Sequence, residues 1–204
     1  MEIRDYLALS PVVPVLTITD AEDAVPLAKA LLAGGLSVLE VTLRTPAALE
    51  AIKRIAAEVP DVVVAAGTVL TPEGLQKAAD AGAKFAFSPG LVDFMLKDTP
   101  IPVIPGVATP SEVMKCLAAG HKTLKFFPAV PAGGVGALKA LYGPFPEVCF
   151  CPTGGIDHDN AGEFLNLPNV ICVGGSWPAP AKAIEGKFWD GIETLASKAA
   201  SLAD

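Results

Sequence analysis

Two ionisable side chains that interrupt apolar runs of this sequence point to covalent chemistry. Glu40 lies inside VLEVTL and Lys125 inside TLKFFPA. Burial disfavours the charged form of an amine, and a neutral lysine amine attacks a ketone to give a Schiff base. A positioned carboxyl group such as Glu40 then moves protons to and from the carbinolamine and enamine. The competing reading is a buried ion pair that only fills space, although such a pair is often no more stabilising than apolar residues of equal volume. Arg44 follows Glu40 by four residues, which puts both on one strand face if the strand runs that far. With Thr68, in the AAGTVL turn, Arg44 offers donors for a carboxylate. A surface salt bridge for Arg44 and a turn or cap role for Thr68 are the alternatives.

Two glycine pairs form a second constellation. Gly154-Gly155 closes one apolar run, and Gly174-Gly175-Ser176 closes the next. Such pairs are often plain turns, yet backbone N–H groups that only glycine lets an anion approach also make phosphate sites. The two histidines, His121 and His158, lie far apart without a third partner. A catalytic zinc needs about three converging protein ligands, so metal-free chemistry is expected. Asp157 is a better helix cap than His158 is an acid or base.

The elements that must position these groups follow from the hydrophobic pattern. Short β-branched runs begin at Val12, Val38, Val62, Ala83, Ile101, Thr123, Glu147 and Asn169. Between them lie Ala- and Leu-rich segments with helical spacing, several opening on Thr or Asp before Pro or an acid and closing on Gly. Near-continuous apolar strands alternating with helices signal a parallel sheet covered on both faces. Eight such units in 204 residues fit a small (β/α)8 barrel, with a doubly wound open sheet as the alternative. Glu2 to Ser10 then caps one end as an extra helix, and Gly186 to Ala203 supplies the last helix. No linker or charge block divides residues 1–204, so a single domain is expected. In a barrel the strand ends carry catalysis, and the loops after strands seven and eight often build a phosphate site.

Composition excludes other classes. With 15 Lys and Arg against 22 Asp and Glu, the chain carries a net charge of -7, and the basic residues form no stripe, which argues against nucleic acid. No apolar run approaches the roughly 20 residues of a membrane span, and the N-terminal residues lack the basic start of a signal peptide. A cytoplasmic protein is expected. Cys116, Cys149, Cys151 and Cys172 sit in apolar segments without CxxC spacing, which fits reduced packing residues. A charged fraction of 18% is low enough to suggest surface covered by another subunit.

In order and spacing, LEVTLRT, AGTVL, FSPG, KFFPA, FCPTGGI and CVGGSW resemble the class I 2-keto-3-deoxy-6-phosphogluconate (KDPG) aldolases. The similarity runs from about Pro11 to Trp177. It implies a trimeric barrel that cleaves the phosphorylated keto acid to pyruvate and glyceraldehyde 3-phosphate without a cofactor, often also acting on 4-hydroxy-2-oxoglutarate. By motif, Lys125 is the Schiff-base residue and Glu40 the acid/base. Arg44 and Thr68 would bind the pyruvyl carboxylate, with Pro89 and Phe127 lining the pocket. Thr153 would meet the substrate hydroxyls, and Gly154, Gly155, Gly175 and Ser176 the phosphate. A Thr at this position also favours the gluconate over the galactonate epimer. The sequence departs from the common KFFPAE at Val130. Two other readings keep the barrel: a non-catalytic trimeric scaffold, and a phosphosugar isomerase in which Glu40 is the base and Lys125 an electrostatic partner.

Overall fold

The β-branched runs become nine parallel strand segments at the centre of the computed structural model, which describes residues 2–203. They are β1 (Val12–Leu16), β2 (Val38–Thr42), β3 (Val63–Gly67), β4 (Ala86–Phe87), β5 (Val103–Ile104), β6 (Gly106–Val107), β7 (Thr123–Phe126), β8 (Cys149–Pro152) and β9 (Val173–Gly175). Six pair in the order β5-β4-β3-β2-β1-β9, and three in the order β6-β7-β8. β5 and β6 form one stave interrupted at Pro105, which has no N–H for the ladder. The Pro105 carbonyl still accepts from the Lys125 amide at 2.9 Å. Single bridges, Phe150 to Val170 and Thr153 to Gly174, join β8 to β9. The staves therefore close into the expected (β/α)8 barrel rather than an open doubly wound sheet. Met1 and Asp204, the ends of the expected 1–204 domain, lie outside the described residues.

The helices are α1 (Ile3–Leu7), α2 (Ala24–Ala33), α3 (Ala48–Glu58), α4 (Pro72–Asp80), α5 (Pro110–Ala118), α6 (Gly134–Tyr142), α7 (Ala161–Leu165), α8 (Ala181–Glu185) and α9 (Trp189–Ala200). Thr-Pro starts α4 and α5 as expected: Thr71 Oγ1 accepts from the Gly74 amide at 3.0 Å, and Thr109 forms a capping box with Glu112. The segment expected to be one last helix from Gly186 begins with Lys187 in the left-handed region, at φ 55°, and α9 starts only at Trp189. A side chain in that region cannot continue a right-handed helix. Asp157 accepts from the amides of Asp159 and Asn160 and so closes the turn ahead of α7; it is not the expected helix cap, since the N-cap position is Asn160, and His158 is exposed.

Alternation along the strands sorts residues into two cores. Leu39, Val41, Leu124 and Phe126 face the helices in the larger one. Val13, Val38, Ala65, Phe85, Phe87, Ile104, Cys151 and Cys172 fill the lumen, closed at one end by Leu7 of α1. Tyr6 stacks on Phe85 with ring centroids 5.8 Å apart, so α1 caps the barrel as expected. All four cysteines are free and buried, and burial pushes the Cys116 and Cys149 thiols up to about 11.

Candidate active site

Glu40 and Lys125 take lumen positions on β2 and β7, which are opposite staves of the ring. The two side chains meet across it although 85 residues separate them in the chain. Lys125 Nζ donates to Glu40 Oε1 at 3.0 Å and to Oε2 at 3.2 Å. Both residues are buried, at 4% and 1% exposure. The rings of Phe87 and Phe127 lie 5.0 and 5.5 Å from Nζ, so the amine is enclosed by apolar and aromatic surface. Gly67 makes room for the carboxylate, because a Cβ there would collide with the Glu40 side chain. A lysine and a carboxyl group in hydrogen-bond contact, away from bulk water, can exchange a proton and free the amine as a nucleophile.

Arg44 departs from expectation. β2 ends at Thr42, so Arg44 belongs to the following turn and does not share the strand face of Glu40. Its side chain instead reaches the next stave, where Nε donates to Thr68 Oγ1 at 3.0 Å. Thr68 has φ 58°, a left-handed conformation costly for a β-branched residue. It does not cap α4, since Thr71 does. The strained backbone therefore aims its hydroxyl at Arg44.

A cavity of about 380 Å³ opens beside this pair, with Arg44, Phe127, Thr153, Gly154, Gly155, Gly175 and Ser176 in its wall. Glu40, Thr68, Pro89 and Lys125 are not among its lining residues; Phe127, whose ring lies 5.5 Å from Lys125 Nζ, links the buried pair to it, and Pro89 packs where a Cβ on Gly106 would sit. Thr153 is 6% exposed, and its Oγ1 has no hydrogen-bond partner among the described residues. The backbone N–H groups of Gly155 and Ser176 likewise donate to no acceptor among the described residues. Unpaired amides beside a cavity are donors from which an anion can accept. Among the described residues, no group of three or more His, Cys, Asp or Glu could hold a metal ion.

A family model described as KDPG and KHG aldolase matches residues 3–195. The chain belongs to this family. A protein named KHG/KDPG aldolase from Escherichia coli (strain K12) is 53% identical over 199 residues, covering 96% of this chain and 93% of its own. A KDPG aldolase from Legionella pneumophila, solved with pyruvate captured at low pH as a covalent carbinolamine intermediate, is similar at TM-score 0.96 and 49% identity over 98% of both chains. The KDPG aldolase of Zymomonas mobilis ZM4, solved with 3-phosphoglycerate, is similar at TM-score 0.90 and 46% identity over 98% of this chain and 96% of its own.

This aldolase has site features that sequence reading missed. Thr17 lines the cavity from the end of β1, and its Oγ1 lies 3.3 Å from Thr42 Oγ1. Phe87 touches the lysine and Gly67 clears space for Glu40; Gly174, singled out in the sequence, has the unforeseen role of clearing space for Thr153. Phe87 and Gly67 had a signal in the strand period, which puts them on the lumen face. Thr17 had one only in its position just past a strand.

Proposed function

We propose that this member of the KDPG and KHG aldolase family is a lyase that cleaves 2-keto-3-deoxy-6-phosphogluconate to pyruvate and glyceraldehyde 3-phosphate. The observation that carries this reading is the buried contact between Lys125 Nζ and Glu40 across the lumen, 3.0 Å long. Lys125 passes a proton to Glu40 and attacks the C2 ketone; Glu40 returns that proton to the carbinolamine hydroxyl, which leaves as water to give a protonated imine and a free carboxylate. Glu40 accepts the proton of the C4 hydroxyl, and the C3–C4 bonding electrons flow into the imine to give an enamine. Protonation at C3 and hydrolysis release pyruvate and restore the amine. The pyruvate carbinolamine of the Legionella relative supports this sequence of steps.

Arg44 with Thr68 holds the carboxylate, Phe127 and Pro89 enclose the pyruvyl end, and Thr153 meets a hydroxyl. Gly154, Gly155, Gly175 and Ser176 hold the phosphate, supported by the free amides around the cavity. Phosphate and carboxylate contacts remote from the reacting bond orient it over the lysine, so binding energy serves the transition state. 4-Hydroxy-2-oxoglutarate, which has the same reacting centre without a phosphate, is the second substrate. Reduction with borohydride in the presence of pyruvate tests the reading. A single reduced pyruvyl adduct is expected on the peptide containing Lys125, absent from folded Lys125→Ala, which also loses turnover. Folded wild-type protein that gives no adduct excludes Schiff-base chemistry and leaves the isomerase or scaffold readings.

The protein acts as one barrel domain, in the cytoplasm, and assembles as a homotrimer. Among the described residues no helix is long and apolar enough to cross a membrane. Support for assembly comes from Leu70 after β3, Val92 after β4 and Met114 on α5, large apolar side chains exposed on neighbouring staves. Light scattering that gives the mass of one chain would remove the trimer from this reading.

A further inference from the structure

The glycines of β9 are required by space. A Cβ on Gly174 would collide with Thr153, and a Cβ on Gly175 would fall on the benzo edge of the Trp177 indole. Neither glycine has a positive φ, so neither is needed for backbone conformation. Trp177 is only partly exposed and packs against the core between barrel and helices. Its Nε1 is buried without a hydrogen-bond partner among the described residues, so packing sets where the ring lies. Gly175 and Ser176 line the cavity while Trp177 does not. The ring thus touches this segment from outside the cavity.

We infer that Trp177 is a positioning residue for phosphate binding. Its ring is a rigid stop that fixes Gly175, and through it the amide and hydroxyl of Ser176, at the distance an anion requires. The inference rests on the phosphate role proposed for these residues. Hydrogen bonds weaken steeply with misalignment, and a displacement of about 1 Å costs on the order of a hundredfold in rate. A shift of this segment should therefore penalise a phosphorylated substrate and leave one without phosphate much less affected.

The test is the ratio of kcat/KM for 2-keto-3-deoxy-6-phosphogluconate to that for 4-hydroxy-2-oxoglutarate. Trp177→Leu removes the flat stop and should lower the ratio about tenfold, mainly through KM of the phosphorylated substrate. Trp177→Phe, which keeps a ring against Gly175, should restore most of it. Competitive inhibition by inorganic phosphate should weaken in Trp177→Leu by a similar factor. Gly175→Ala pushes ring and main chain apart from the other side and should lower the same ratio, so the test survives if Trp177→Leu fails to fold. An equal loss on both substrates, or an unchanged ratio in whichever variant folds, overturns the positioning role. Wild-type protein that phosphate does not inhibit and that ignores the phosphoryl group would overturn the phosphate site itself, and this role with it.

Discussion

Gly154-Gly155 and Gly174-Gly175 border the same cavity and look alike in sequence, yet they are glycine for different reasons. The first pair bends the chain: Gly154 has φ 104° and Gly155 φ 77°, where a side chain is strained whatever the space around it. The second pair runs in ordinary strand conformation and gives way to its neighbours, Thr153 and Trp177. Conformation is a demand of the backbone itself, and space is a demand of side chains packed beside it, Thr153 from the preceding stave and Trp177 from two residues further along. The difference teaches that one dipeptide can border a cavity either by making a turn that only glycine tolerates or by letting the packing behind it close up.

Alanine substitutions separate the two cases, and thermal or denaturant unfolding measures each. Gly175→Ala should cost most, about 3 kcal/mol or more, because the added methyl meets a large ring held in the core. Gly174→Ala should cost about 2 kcal/mol, and Thr153→Ala should relieve it, since the neighbour is one short side chain. A double variant as unstable as the sum of the two single ones would show that Gly174 is not there to clear Thr153. Gly155→Ala should follow at about 1–2 kcal/mol, part strain and part contact with Val130 Cβ, 2.8 Å from the added carbon. Val130→Ala keeps that Cβ and removes only the methyl groups 3.1 and 3.5 Å away, so it should recover a small part of the cost. The smallest effect, about 1 kcal/mol, is expected for Gly154→Ala, whose Cβ would lie 3.2 Å from the Pro128 Cα. If trimming a neighbouring side chain restored that variant, the conformational account of the first pair would fail.

Val130 bears on the same contrast. Its amide donates to the Gly154 carbonyl at 3.0 Å, and the Ala129 amide donates to the Thr153 carbonyl at 2.8 Å. These bonds tie the segment after β7, which carries Lys125, to the segment after β8, which carries the first glycine pair. The apolar Val130 lies over Gly155 without adding a negative charge near the proposed phosphate site.

Much of the architecture was legible in the chain because it depends on periodicity. Eight apolar runs separated by capped helices imply parallel staves, and the alternation within TLKFFPA and VLEVTL already turns Lys125 and Glu40 to one side of their strands. Two charged residues inside otherwise apolar strands are costly unless they meet, which made the pair readable before its contact was known. The face of Arg44 hung on strand length, which past Thr42 depends on pairing with β3, and β2 and β3 stop together at Thr42 and Gly67. The break at Pro105 left the ring intact because the closing contacts come from neighbouring staves.

The sequence by itself determined the kinds of groups present, their strand faces, and glycine at the turns where backbone conformation demands it, since each of these is a local property. Tertiary structure decided which distant groups meet: Lys125 with Glu40 over 85 residues, Arg44 with Thr68 over 24, Thr153 against Gly174. It also decided that Thr17, unremarkable in the chain, borders the cavity. The physical reason is ring closure. A barrel turns residues far apart in sequence into neighbours around one lumen, and a contact across that lumen depends on stave order and register, which no short stretch of sequence contains.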